Sequence, residues 1–353
     1  MFNSRGLRAG WRLLIFVAIF LMLSFLASLF VEKIVHLRQR PFLDPISFCY
    51  DEIQALILVL IATWVMSRIE RRHFAAYGIP SIRRSFGRDF WIGIVWGIAS
   101  TSAVIGLIAV LGGYRVRGFA IHGATLWYFT VLWTLANLLI GFAEEFQFRA
   151  YLLATTADGL GFWTAAILLS TGFGALHFFF KPHERWEDFA STGLLGLFMC
   201  FTLRRTGSLA FAIGFHAAFD FANLFVFSGS NAGEFAIGHL LGTTWQGPNW
   251  LTGGLLGPEA SWMVFPVIAA MFTLFSRIYT TAKFPPPDED VTMHGCGNHE
   301  KAKAKHEGRQ NERRNASRIT CAGTRILDYR VNRRINSAAS GYCSINSSGI
   351  ALS

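Results

Sequence analysis

"GFAEEFQFRAYL", residues 141–152, is the stretch on which the reading of this chain turns. Glu144 and Glu145 are adjacent and Arg149 follows four residues later, among Leu, Ile and Phe. The stretch lies inside Thr125–Thr156, which contains no proline and only one glycine, Gly141. A helix of that length would measure about 48 Å, against about 30 Å for the apolar core of a bilayer. It must tilt, protrude or bend, and it carries charge into an apolar setting at considerable cost.

The surroundings explain the setting. Of 353 residues, 52% are hydrophobic and only 15% charged, where a soluble domain would carry about a quarter. The apolar residues fall in long runs separated by short polar joints. That pattern predicts an all-α, polytopic helical membrane protein with about eight transmembrane helices. It argues against a β-barrel, whose strands would be about ten residues long and would alternate. Spans are expected near 11–31, 48–67, 89–111, 124–156, 162–180, 188–204, 207–228 and 260–279. The first run is too long for a signal-peptide core and lacks a following small-residue cleavage site, so it reads as an uncleaved span.

The net charge of +10 comes from basic clusters at the joints and in the tail. Arg5, Arg8 and Arg12 precede the first span; Arg68, Arg71 and Arg72 follow the second; Arg204 and Arg205 follow the sixth. With both ends cytoplasmic these clusters share one side, although Lys33, Arg38 and Arg40 fall on the other. Charge placed this way points to a lipid bilayer as partner and not to nucleic acid. The five cysteines have no CxxC spacing, so neither a zinc knuckle nor a disulfide framework is indicated. "ADGLGF", 157–162, reads as a tight turn. From Pro285 onward the chain is rich in Ser, Asn and Arg without apolar periodicity, which predicts disorder.

Three polar sites lie inside the apolar runs: Glu144, Glu145 and Arg149; His177; and His216 with Asp220, Asn223 lying about one turn further on. Glu145 and Arg149 are i,i+4 and able to pair, as are His216 and Asp220. Glu144 lies about 100° around the helix from Glu145, so the two carboxylates are expected not to aim at one partner. One pairs with Arg149; the other is left for chemistry. In an antiparallel hairpin Glu144 and His177 come to nearly the same depth, about 22 and 27 Å from the turn, with His216 about 16 Å from the same side.

These residue types support two kinds of hydrolytic chemistry. A carboxylate beside a histidine can deprotonate water while a second histidine donates to an oxyanion. Alternatively Glu144, His177 and His216 could hold Zn²⁺ and an activated water. No HExxH, GxSxG or Cys–His arrangement competes.

Together the motifs EExxxR (Glu144, Glu145, Arg149), FxxxH (Phe173, His177) and HxxxD (His216, Asp220) resemble those of the CPBP intramembrane proteases. That family includes the CaaX prenyl-protein endopeptidases and the bacterial Abi or bacteriocin-processing relatives. The resemblance covers roughly residues 85–230. It implies an intramembrane endopeptidase acting on a peptide or protein substrate, with Glu144 and His177 activating water and His216 and Asp220 at the oxyanion. The catalytic set is then Glu144, Glu145, His177, His216 and Asp220, with Arg149, Phe173 and Asn223 in support. The family is described both as metal-dependent, which would require Zn²⁺, and as a metal-free glutamate protease. The family's third motif is HxxxN or HxxxD, and where Asn would donate to an oxyanion an ionised Asp220 only accepts; Asp220 is then expected either to orient His216 or to be kept protonated by burial, with Asn223 as a substitute donor. The corresponding division is 1–84, an N-terminal transmembrane region; 85–230, the catalytic core; 231–284, an external loop and last span; and 285–353, the basic tail. Family breadth points to a bacterial inner membrane. Two other readings compete: a catalytically silent membrane immunity or binding protein, and a transporter using the carboxylates as a proton relay. Against the transporter, no two-half internal repeat is visible.

Overall fold

The computed structural model describes residues 2–3, 6–34, 41 and 43–285. The expected disordered tail, apart from Pro285, lies outside the described residues, as do Arg38 and Arg40. Two short antiparallel strands, β1 (Phe2–Asn3) and β2 (Gly6–Leu7), precede α1 (Ala9–Ile34). α2 spans Pro45–Glu70, α3 Ile82–Ser85 and α4 Arg88–Val110. Strand β3 (Tyr114–Phe119) leads to α5 (Gly123–Glu145), a π-helical turn at Phe146–Ala150, and α6 (Tyr151–Leu160). α7 (Phe162–Phe180), α8 (Trp186–Thr206) and α9 (Ala210–Asp220) follow, α9 running into a second π-helical segment at Phe221–Val226. β4 (Leu241–Trp245), α10 (Asn249–Thr252) and α11 (Val264–Ile278) complete the described chain.

Local chemistry sets several of these boundaries. Asp44 caps α2, its carboxylate accepting from the Ser47 backbone N–H at 3.0 Å, and Pro45 occupies the first turn, where its missing N–H costs nothing. Gly207, at φ 79°, ends α8 in the left-handed conformation that glycine adopts without strain.

Among the described residues, five helical segments are long and apolar enough to cross a membrane: Ala9–Leu29, Pro45–Glu70, Arg88–Val110, Gly123–Leu160 and Phe162–Phe180. They mark an integral membrane protein. The count of eight expected from the sequence is not reached on these criteria. α8 is long enough, but Glu187, Asp188, Arg204 and Arg205 lie at its ends. Ala210–Val226 and Val264–Ile278 are apolar but shorter. The fold is also not purely helical: β3 and β4 pair antiparallel, with a register shift between Val116 and Gly118.

The expected turn at 157–162 is mostly helix. α6 continues through Leu160, and only Gly161, at φ 81°, turns the chain. Asp158 is held there by Arg12 Nη2 at 2.9 Å and Arg72 Nη1 at 2.7 Å. Arg12 also meets Glu70 at 3.0 Å, and the Tyr151 hydroxyl donates to Glu70. These contacts tie α1, α2 and α6 together at one end.

α9 sits at the centre. Every residue from Ala210 to Phe219 is buried, as expected of a helix apolar on all faces. It packs on α4 through Gly93 and Gly97, one turn apart. A side chain at Gly97 would run into the Phe215 carbonyl oxygen, and one at Gly93 into that of Phe211. Small residues permit this backbone approach, as in other close helix pairs in membranes. Thr101 Oγ1 spans the same interface, donating to the Phe219 carbonyl at 3.1 Å.

Candidate active site

The motif of α5 ends where the helix changes type. Glu145 is the last α-helical residue, and Phe146–Ala150 forms the π turn, after which Ala150 bends the backbone (φ −88°, ψ −103°) into α6. A π turn admits one extra residue per turn and often marks functional positions. The third motif repeats the arrangement: Asp220 ends α9 and Asn223 lies within the following π segment.

Glu145 is completely buried. Its Oε1 accepts from Arg149 Nη1 at 3.1 Å and from His216 Nδ1 at 2.8 Å. An ionised carboxylate only accepts, so Nδ1 carries the proton. Arg149, 1% exposed, lies 4.3 Å from the Phe173 ring centroid, which adds a cation–π contact. Gly196 leaves room for the guanidinium, since a Cβ there would stand 2.7 Å from Nη2.

Across the ring, His216 Nε2 faces two more carboxylates: Glu144 Oε2 at 3.6 Å and Asp220 Oδ2 at 3.5 Å. The two glutamates therefore do meet one partner, contrary to the reading from their angular separation. An imidazole has nitrogens on two sides, and each carboxylate takes one. Glu144 is the more accessible, with 24% of its side chain exposed.

His177 lies on α7 with its Nδ1 3.0 Å from the Phe173 carbonyl oxygen. A carbonyl only accepts, so Nδ1–H donates, and in the neutral ring Nε2 is the nitrogen with a free lone pair. The Phe173 ring packs edge-on against His177, with centroids 4.6 Å apart, and stands 6.5 Å from His216. One phenyl ring thus touches the arginine and both histidines.

A cavity of about 430 Å³ gathers these groups. Glu144, His177, His216, Asp220 and Phe173 line it, while Glu145 and Arg149 stand behind the wall. The expected depth mismatch does not keep His216 from the site: its Nε2 stands 3.6 Å from Glu144 Oε2.

Three charged lining residues carry no expectation from the sequence: Glu52 on α2, Lys181 just past α7, and Glu259 between β4 and α11. Glu52 could have been noticed as a carboxylate within an apolar run; Glu259 carries no comparable signal. Lys181 is committed elsewhere, its Nζ lying 3.4 Å from Glu184 and 3.3 Å from Asp188. Asn223 is buried, and its Nδ2 donates to Glu259 Oε1 at 2.8 Å.

Residues 125–222 match the sequence model of the type II CAAX prenyl endopeptidase Rce1-like family. The chain carries a domain of that family. The match takes in Glu144, Glu145, Arg149, Phe173, His177, His216 and Asp220, and ends one residue before Asn223. It covers less than a third of the chain, so α1, α2, α4 and the region containing Glu259 lie beyond it. No curated protein matched the chain. An Rce1-like domain implies a protease with a peptide substrate, and the buried pair of Glu145 and His216 is consistent with that.

Zn²⁺ was the one cofactor the sequence suggested, through Glu144, His177 and His216. Among the described residues no group of three or more His, Cys, Asp or Glu side chains is arranged to hold a metal ion. As arranged, these donors do not fit a Zn²⁺ site.

Proposed function

We propose that the protein is an intramembrane endopeptidase that hydrolyses a peptide bond with a water activated by Glu144 and His177. One observation carries this reading: Glu144, His177, His216 and Asp220, from three helices, line a single cavity. Of the two adjacent glutamates, Glu144 is the one that lines that cavity, so it is the general base, and the lone-pair nitrogen of His177 assists in holding the water. Hydroxide attacks the carbonyl carbon, and His216, doubly protonated between Glu145 on one side and Glu144 and Asp220 on the other, donates its Nε2–H to the oxyanion. Asp220 orients that ring, in keeping with its 3.5 Å approach to Nε2. Glu145 and Arg149 fix His216 from behind. The substrate is of the CaaX or bacteriocin-related type, and the site of action a bacterial inner membrane.

The test is peptide-library cleavage by the detergent-purified protein beside Glu144→Ala and His177→Ala. The wild type should cleave and both variants should lose about 100-fold or more. Cleavage unchanged in both would remove the assignment. Absence of cleavage by folded wild type would favour the silent binding protein.

A further inference from the structure

Hydrolysing an amide requires a proton for the departing nitrogen, and the roles of Glu144, His177, His216 and Asp220 in activating water and facing the oxyanion do not supply one. We propose that Glu259 is the general acid that protonates the leaving amine. This rests on the endopeptidase reading above.

Glu259 enters the cavity from a different part of the chain than the water-activating pair. It lies in a short 3₁₀ turn, Pro258–Ala260, between β4 and α11, whereas Glu144 and His177 come from α5 and α7. Its position is fixed: Pro258 and Ala260 are buried, and Oε1 accepts from Asn223 Nδ2 at 2.8 Å. Asn223 is itself held, because Gly229 leaves no side chain in the space its amide oxygen fills. With Oε1 taken as acceptor, Oε2 is the oxygen on which a proton would sit.

The surroundings keep that proton in place. Among the described residues no cation pairs with Glu259; Lys181 is committed to Glu184 and Asp188. The other charged or titratable groups acting on it are Asp188 on α8, His177 on α7 and Asp220 on α9. Burial pushes the Glu259 carboxyl up, against the opposing pull of Lys181.

Glu144 takes a proton from water as the water oxygen bonds to the carbonyl carbon, and the carbonyl electron pair moves to oxygen. That pair returns as the C–N bond breaks, and the nitrogen takes the Glu259 proton. Glu144 ends protonated and Glu259 ionised; proton exchange with solvent restores both after product release.

The test compares an amide substrate with an ester of the same acyl group bearing a nitrophenol leaving group, whose anion departs without a proton. Glu259→Gln keeps an acceptor for Asn223 and loses only the acid. Its amide cleavage should fall about 100-fold or more while ester cleavage changes by less than about threefold. Equal falls on both substrates, or none on either, would overturn the proposal. Glu259→Asp keeps an acid and should cleave the amide faster than Glu259→Gln; equal rates would also overturn it. A wild type inactive on both substrates would instead overturn the endopeptidase reading, and this inference with it.

Discussion

Glu145 and His216 stand 71 positions apart in the chain and meet at 2.8 Å in a fully buried hydrogen bond. That bond joins the EExxxR helix to the central helix α9 and fixes which imidazole nitrogen faces the cavity. The same carboxylate oxygen also receives Arg149, so helix junction and ion pair share one acceptor.

The shared acceptor makes Glu145 a stability residue first. Glu145→Ala would leave Arg149 buried without a counter-charge, at a cost of about 3–5 kcal/mol. Replacing Arg149 by Met in the same molecule removes the orphaned charge and should recover a large part of that loss. Unfolding of the two single variants and the double variant in detergent measures the coupling. Strictly additive losses would contradict a shared buried pair.

Glu144 should behave in the opposite way. Its side chain is partly exposed, and its ion-pair partner, His216 Nε2, is 3.6 Å away, too far for a strong bond. Glu144→Gln is expected to leave the melting temperature within a few degrees of wild type while kcat falls about 100-fold or more. Parallel melting and cleavage assays check this, and loss of fold with loss of activity would point to a structural role.

The α4–α9 contact offers a test of packing. Gly97→Val forces a side chain against the Phe215 carbonyl, beside His216, and should cost about 1–3 kcal/mol or more, together with activity. Gly106, on the same helix, has open space around it. Gly106→Ala should be neutral or stabilising by up to about 1 kcal/mol. If the two substitutions melt alike, the close approach is not what holds α9.

Glu184 gives a pH dependence with a definite sign. Burial and the neighbouring Asp188 push its carboxyl up to about 7. An unfolded Glu titrates near 4.3. The group's stability contribution is therefore full below about 4.3 and is lost as pH rises through about 7. Wild type should lose melting temperature between pH 5 and pH 8, and Glu184→Gln should lose less. Identical slopes for both proteins would exclude Glu184 as the source.

Much of the helical architecture was legible because it rests on local regularities. Apolar runs set the five long spans, and i,i+4 spacing placed Arg149 beside Glu145 and Asp220 beside His216. The hairpin count brought Glu144 and His177 toward one level. The π turn at Phe146–Ala150 was not legible, since nothing in "FQFRA" distinguishes an α from a π hydrogen-bond pattern. The β3–β4 pairing was missed because its strands are separated by the five helices α5 to α9 and their partner choice is not local. α9 looked like another span, since an apolar run reads the same whether lipid or protein surrounds it.

The sequence by itself determined the membrane setting, the family domain and the residue types available for hydrolysis, because hydropathy, composition and short spacings survive without a fold. Tertiary structure decided which of those residues meet. Gly141 lets α5 approach α9 closely at Ile213 and Ala217, beside His216, which stands between Glu144 and Glu145, and a distant 3₁₀ turn brought Glu259 to Asn223. These are long-range contacts made by packing, and no local pattern along the chain encodes them.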